Sequence, residues 1–189
     1  MKARRLLLFC LLLLVLYFIP SVMGGYSYTE QNAIRSSTPY KDGEAVYEKQ
    51  FGNKKIVILD TGNAHYVTLV SKAWGVLYRV NQTSSINARD PQDKINITWS
   101  AHLTKDKRYD TILAAEVADQ RIKKVIVTNE GSNNNLSSLD ELKKQSTVYV
   151  EMDVINGYAV HYINLPTSDA GNFVFRGLDE QGNILAKGF

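Results

Sequence analysis

The feature that most constrains this chain is an uncharged stretch of eighteen residues, 6–23, which follows Lys2, Arg4 and Arg5. As a helix rising about 1.5 Å per residue it would be about 27 Å long, close to the roughly 30 Å of a bilayer's hydrocarbon core. Cationic side chains before such a helix favour the cytoplasmic side of the membrane. The sequence therefore predicts a transmembrane helix over residues 1–25, with the N-terminus cytoplasmic and the following chain extracellular.

A second interpretation of this leader stays open, because its apolar core before Pro20 is only fourteen residues long, 6–19. Val22 and Gly24 place small or modest side chains at the minus-three and minus-one positions of a cleavage site. The protein would then be secreted after cleavage near Gly24. The total uncharged length and the aromatic Tyr17 near the outer end favour the retained, single-pass anchor.

Charge and cysteine content describe the rest of the chain once the leader is set apart. The leader holds three of the 22 basic side chains, so the remainder carries 19 basic and 19 acidic ones. A neutral surface does not attract phosphate, and no nucleic-acid partner is expected. Cys10, in the leader, is the single cysteine of the sequence. The exported part therefore cannot form internal disulfides and has to be stabilised by its hydrophobic core.

Beyond residue 54, short runs rich in β-branched and aromatic residues alternate with turn residues, which is typical of a sandwich or barrel. The predicted strands are residues 55–59, 66–70, 74–80, 95–100, 111–117, 122–128, 147–154, 158–163, 173–178 and 184–186. A polar loop is expected over 81–93. A short helix is expected over 139–144, where Ser138 and Glu141 have capping-box spacing. The predicted fold is mainly β, an antiparallel sandwich-like domain with one short helix behind the transmembrane helix.

The segment before this domain, residues 26–53, is polar and dotted with tyrosines. Residues 44–51 within it are interpreted as a short helical turn. The segment is predicted to be a polar tether, with the extracytoplasmic domain spanning 54–189. Inside that domain, alternating strands flank Asn156 and Gly157, which predicts a β-hairpin with a two-residue turn.

Asp60 is the sharpest candidate for catalysis. A hydrophobic strand, 56–59, runs into Asp60-Thr61-Gly62, which resembles the active-site loop of aspartic proteases, where two carboxylates share a proton. Asn63 departs from that pattern, and the sequence holds no second such triplet. A β-turn whose residues are chosen for backbone geometry is the favoured interpretation.

Aromatic side chains are the other functional lead. Trp74, Tyr78 and Trp99 could form a binding surface for a sugar ring or a protein partner. Core packing is the favoured interpretation, because 74, 76, 78 and 80 share one strand parity while 95, 97 and 99 share another. No motif for a cofactor or a metal appears, and neither is expected. Four aspartates are expected to be solvated loop carboxylates: Asp90, Asp93, Asp106 and Asp110.

Four stretches carry a resemblance to a known class of protein: residues 54–59, 66–78, 114–127 and 177–183. Together they are similar to small membrane-anchored exported proteins of Bacillus-type Gram-positive bacteria, whose function is uncharacterised. The resemblance implies a cell-surface location and supplies no catalytic residues.

The function expected from the sequence is that of a membrane-anchored, non-catalytic binding or interaction module of the cell envelope. Its partner would be an envelope protein or a cell-wall polymer, with the membrane contacted through residues 6–23. Two rivals stay open. One is an envelope hydrolase of aspartic-protease type that uses Asp60, and the other is a structural subunit of a membrane complex.

Overall fold

The computed structural model describes residues 2–22, 24–37, 43–86, 92–129 and 139–188. Over these ranges the chain forms three helices, which are α1 (Lys2–Val22), α2 (Glu30–Ser37) and α3 (Leu139–Gln145). It also forms eleven strands: β1 (Glu44–Phe51), β2 (Lys54–Asp60), β3 (His65–Ala73), β4 (Leu77–Ile86), β5 (Ile95–Leu103), β6 (Arg108–Val117), β7 (Lys124–Asn129), β8 (Tyr149–Asp153), β9 (Tyr158–Pro166), β10 (Phe173–Leu178) and β11 (Ile184–Gly188).

The strands form three antiparallel sheets. The first sheet is the meander β1-β2-β3-β4, the middle sheet has the order β5-β6-β9, and the third sheet has the order β11-β10-β7-β8. Between the first and middle sheets, β4 lies against β5, where the Ser84 and Thr98 hydroxyls hydrogen-bond at 2.5 Å. The predicted class, mainly β with antiparallel pairing, is confirmed, and the packing is consistent with a β-sandwich.

The middle sheet lies between the other two, and its central strand β6 is buried on both faces. Ile112 and Ala114 pack with the inner face of the first sheet, while Leu113 and Ala115 pack with the third sheet. A strand covered on both sides needs apolar residues at successive positions rather than in alternation. This explains the unbroken apolar run 112–115 in the sequence.

Helix α2 covers the outer face of the first sheet. Its Ile34 packs against a small cluster formed by Val57, Leu59 and Val70. The helix begins after Thr29, whose Oγ1 accepts a hydrogen bond from the Asn32 N–H at 3.3 Å, which satisfies one of the free N–H groups at a helix start. The middle sheet therefore covers the inner face of the first sheet, and α2 covers the part of the outer face around Val57, Leu59 and Val70.

The helical turn predicted over 44–51 is wrong, because these residues form β1 and pair with β2 along its length. Tyr47, Lys49 and Phe51 point toward the interior while their neighbours are exposed, which is the alternation of a half-buried edge strand. The folded domain therefore begins before residue 54, inside the segment predicted to be a tether.

The predicted β-hairpin at Asn156 and Gly157 is right about the turn and wrong about the pairing. Both residues have positive φ, 52° and 82°, and Ile155 and Tyr158 exchange two backbone hydrogen bonds of 2.9 and 3.0 Å. Beyond that pair the strands separate, since β8 pairs with β7 in the third sheet and β9 pairs with β6 in the middle sheet. The turn thus connects two sheets.

Two smaller expectations have mixed outcomes. The polar loop predicted over 81–93 is wrong for its first part, because β4 continues to Ile86, while 87–91 lie outside the described residues. The short helix is confirmed as α3, and Ser138, its predicted cap, lies outside the described residues.

Helix α1 differs from the rest of the fold in what it exposes. Its described large apolar side chains, from Leu6 to Val22, are between 43% and 83% exposed. Within the described residues, no helix meets the length and hydropathy that a bilayer-crossing segment requires. The transmembrane helix expected from the sequence therefore stays a prediction.

Candidate interaction surface

The turn between β3 and β4 carries the most exposed tryptophan of the chain. Its three residues, Trp74, Gly75 and Val76, are closed by a hydrogen bond from the Val76 N–H to the Ala73 carbonyl at 3.2 Å. Trp74 has a φ of +50° and is 81% exposed, and Val76 is also exposed. The core position expected for Trp74 is therefore wrong, because the chain turns at 74–76 and the strand parity on which the expectation rested is interrupted.

The segment that follows α1 holds this turn in place. Ser27 forms a β-bridge with Tyr78, with two backbone hydrogen bonds of 2.8 Å each. The Tyr26 ring stacks on the Trp74 ring with centroids 6.1 Å apart, and the Tyr26 N–H donates to the Pro20 carbonyl at 3.1 Å. The end of α1 and the Trp74 turn are therefore adjacent.

A second aromatic pair lies at the same end of α1. The rings of Tyr17 and Tyr28 stack with centroids 6.3 Å apart. Both side chains are exposed, as is Phe18 beside them. We refer to Tyr17, Tyr26, Tyr28 and Trp74 together as the aromatic collar.

Cations accompany the collar. The Arg79 guanidinium lies 5.6 Å from the centre of the Tyr26 ring, and the Lys72 ammonium lies 5.5 Å from that of Tyr78. Both cations belong to exposed side chains of β3 and β4. Tyr78 itself is half-buried and packs against the cluster under α2. Of the predicted binding residues, Trp74 and Tyr78 thus lie at this surface.

Trp99, the third predicted binding residue, lies elsewhere. It belongs to β5 in the middle sheet and packs edge-on against Phe173 of the third sheet, with ring centroids 5.1 Å apart. Its side chain is 40% exposed. Trp99 therefore closes a seam between two sheets and is not part of the collar.

Asp60, the predicted catalytic candidate, ends β2. Its Oδ1 accepts a hydrogen bond from the Gly62 N–H at 2.7 Å, the contact of an Asx turn, and Gly62 has a φ of +80°. The register of β2 and β3 also places His65 opposite Asp60, with Nε2 3.7 Å from Oδ1. His65 Nδ1 lies 3.0 Å from the Glu116 carboxylate. Strand pairing alone brings these groups together, so the linear sequence gave no signal for them.

A second polar cluster, centred on Asp110, was also missed. The expectation of a solvated loop carboxylate is wrong, because Asp110 lies in β6 and is buried. Its carboxylate accepts hydrogen bonds from the Lys54 ammonium, from the Tyr162 hydroxyl at 2.6 Å and from the Asn164 amide at 3.0 Å. Lys54 also donates to the Tyr162 hydroxyl at 2.7 Å. This cluster joins the first sheet to the middle sheet.

The electrostatics of the Asp110 cluster favour the ion pair. Burial alone would raise the pKa of Asp110, but the hydrogen bonds from Lys54, Tyr162 and Asn164 outweigh it and hold the pKa below its ordinary value. The pKa of Tyr162 is raised, by burial first and then by its bond to Asp110. The carboxylate is therefore ionised and fully partnered, which indicates a structural rather than a catalytic group.

An open cleft of about 440 Å³ lies between the turns that precede β7 and β11. Two carboxylates at this cleft, those of Asp119 and Asp179, are bound within their own turns. Asp119 pairs with the Arg121 guanidinium, whose hydrogen bonds lower the pKa of Asp119 to about 2, and Asp179 accepts from the backbone of residues 181 and 183. In the part of the chain that the structure describes, no group of three or more histidine, cysteine or acidic side chains could hold a metal ion.

No known protein family, curated protein or solved structure matches the chain. The collar is the surface on which one predicted binding residue, Trp74, combines high exposure with a positive φ, and a second, Tyr78, lies beside it.

Proposed function

We propose that this protein is a membrane-anchored interaction module of the cell envelope, with α1 in the bilayer and the β-rich domain on the extracytoplasmic side. The observation that carries the proposal is the exposure of apolar side chains along α1. A soluble surface helix buries one apolar stripe and presents a polar face to water. Helix α1 instead leaves its described large apolar side chains exposed.

Lipid is the environment that removes this exposure. Moving a leucine side chain out of water is worth about 1.5 to 3 kcal/mol, and α1 offers a row of them. The uncharged run 6–23 follows Lys2, Arg4 and Arg5, and this arrangement favours a cytoplasmic N-terminus. The β-rich domain is then extracytoplasmic, as in the Gram-positive exported proteins that the sequence resembles.

The non-catalytic part of the proposal is supported by how the polar clusters are used. The Asp110 carboxylate is buried and accepts its hydrogen bonds from side chains of neighbouring strands. The Asp60 carboxylate accepts from the backbone of its own turn. The collar, by contrast, presents the exposed rings of Tyr17, Tyr28 and Trp74 at the surface, and aromatic side chains of this kind often anchor a partner.

A pair of double variants tests the anchor. Leu12→Arg/Leu13→Arg puts two charges in the middle of α1, at a cost of about 5 to 7 kcal/mol if this segment lies in lipid. The matched control is Leu103→Arg/Ile155→Arg, which charges two similarly exposed apolar side chains of the β-rich domain. We expect the first variant to leave the membrane fraction and the control to stay in it. Equal retention of both variants would refute the anchor.

Topology is tested separately with a reporter enzyme that is active only outside the cytoplasm, fused after residue 189. Activity of the fusion supports the proposed orientation, and an inactive but folded fusion contradicts it.

The hydrolase rival has one supporting observation, the approach of His65 to Asp60. It predicts pepstatin-sensitive proteolysis that Asp60→Asn abolishes. The complex-subunit rival predicts instead that other membrane proteins copurify in mild detergent.

A further inference from the structure

We infer that the aromatic collar docks into the lipid headgroup layer beside the end of α1, so that the β-rich domain lies on the bilayer surface. This inference rests on the proposed function, because it requires α1 to be in the membrane. It names the partner of the collar as lipid rather than a wall polymer or a protein. The position of the collar, its chemistry and the backbone of Trp74 support this inference.

The collar lies beside the C-terminal end of α1. Only residues 23–29 separate α1 from α2, and two consecutive residues of this segment are hydrogen-bonded, one to α1 and the next to β4. The Tyr26 N–H is bound to the Pro20 carbonyl of α1, and Ser27 is bridged to Tyr78 of β4. A domain attached in this way is not free to move far from the helix end. The β3–β4 turn that carries Trp74 is therefore close to the point where α1 leaves the hydrocarbon.

The chemistry of the collar suits that depth. Tryptophan and tyrosine are enriched where hydrocarbon meets water, because their rings are apolar and their N–H and O–H groups are polar. The collar is continuous with the helix, since Tyr17 of α1 stacks on Tyr28 just beyond it. Phe18 and Val76 add apolar surface at the same end. A membrane partner uses this whole set of side chains at once.

The backbone of Trp74 is the third observation. A bulky residue at a φ of +50° costs about 1 to 3 kcal/mol, and the stacking of the Trp74 ring on Tyr26 offsets only about 0.5 to 1.5 kcal/mol of this. Glycine or asparagine would make the same turn without this cost. Insertion of the indole ring into the interface offsets the strain. In water, therefore, Trp74 makes the turn less stable than glycine would, and its indole ring is held exposed.

Charge selects the kind of lipid. Arg79 and Lys72 are exposed; Arg79 lies over the Tyr26 ring of the collar, and Lys72 lies over the neighbouring Tyr78 ring. Each basic side chain near an anionic bilayer contributes about 1 kcal/mol. Anionic phospholipid headgroups are therefore the expected contact.

The experiment uses tryptophan emission in the full-length chain. Trp99→Phe leaves Trp74 as the reporter, and the matched control Trp74→Phe leaves Trp99. Both variants are reconstituted into vesicles of equal parts phosphatidylcholine and phosphatidylglycerol. A fraction of the lipid is brominated near the top of the acyl chain, so that it quenches indole rings at the interface.

We expect the fractional quenching of Trp74 to exceed that of Trp99 by about twofold or more. Lys72→Gln/Arg79→Gln in the Trp99→Phe background should reduce the quenching of Trp74. Equal, weak quenching of the two tryptophans would overturn the inference. So would an emission shift of Trp74 with purified cell wall but not with lipid, since the collar would then bind a polymer.

Flotation of the same vesicles separates the two proposals. A protein that fails to float with the vesicles contradicts the anchor itself. A protein that floats but whose Trp74 is not quenched contradicts only the docking of the collar. If Trp99→Phe unfolds the domain, subtracting the Trp74→Phe emission from that of the unmodified chain isolates the Trp74 signal and keeps the test decisive.

Discussion

The ion pair between Lys54 and Asp110 should act as a unit in the stability of the β-rich domain. Asp110→Ala removes the carboxylate but leaves the Lys54 ammonium, whose side chain is only 17% exposed, without its counter-charge. Breaking a buried pair from one side costs about 3 to 5 kcal/mol. We expect a loss near 3 kcal/mol, at the low end, because Lys54 keeps its hydrogen bond to the Tyr162 hydroxyl.

Lys54→Met should cost about 2 to 3 kcal/mol, because the Asp110 carboxylate keeps its bonds from Tyr162 and Asn164. The double variant Lys54→Met/Asp110→Leu removes both charges. It should lose only about 1 to 2 kcal/mol, the contribution of the hydrogen bonds that go with the carboxylate. The sum of the two single-variant losses in unfolding free energy is therefore expected to exceed the loss in the double variant by several kcal/mol.

Urea denaturation of the full-length chain in mild detergent, followed by tryptophan fluorescence, measures these free energies of unfolding. Trp99 is a suitable reporter because it packs across a seam between two sheets. A double variant whose loss equals the sum of the single losses would refute the coupling.

The same pair gives the domain a pH dependence with a defined sign. The pKa of Asp110 is lower in the folded protein than its ordinary value of 3.8. The stabilisation is therefore present above about pH 4 and is lost as the pH falls through the folded pKa. Asp110→Asn should flatten the fall in stability below pH 4, and an unchanged profile would contradict the assignment.

Two further variants test packing and backbone strain. Gly177→Ala would place a Cβ 2.7 Å from Cδ1 of the buried Ile122, so we expect a loss of about 1 to 3 kcal/mol in unfolding free energy. Adding Ile122→Val removes that methyl group and should recover part of the loss. If the second substitution recovers nothing, the contact is contradicted. Trp74→Gly relieves the positive φ and should stabilise the domain in detergent by about 1 kcal/mol, as measured by urea denaturation; a destabilised variant would show that the backbone of Trp74 is not strained.

The sequence predicted most strands correctly where one face is buried or where a β-branched run is bounded by turn residues. The β2 and β10 strands are examples, since each begins and ends within one residue of its predicted limits. Such runs carry their own signal, because alternation or continuous burial is visible in the residue types.

Pairing partners could not be predicted in the same way. The alternation on both sides of Asn156 and Gly157 correctly indicated a turn, but the flanking strands join different sheets. A two-residue turn fixes only the local chain reversal. Which strand lies beside which depends on the faces that need burial, and those faces belong to residues far away in sequence.

The polar clusters were missed for the same reason. Asp110 stands after a stretch of charged loop residues, and nothing near it in sequence shows that Lys54 will meet it. The error at Trp74 is local instead. Parity arguments assume an unbroken strand, and a positive φ at a tryptophan is too rare for a pattern to foresee.

The double burial of β6 has a consequence for how the chain folds as it is synthesised. Sheet β1-β2-β3-β4 is complete once residue 86 has emerged, and its hairpins are local. Its inner face stays uncovered until β6 and β9 arrive, the latter ending at residue 166. During synthesis the first sheet therefore exposes its apolar inner face until β9 is complete. A chain that stops within β9 should give an aggregation-prone fragment rather than a smaller stable domain.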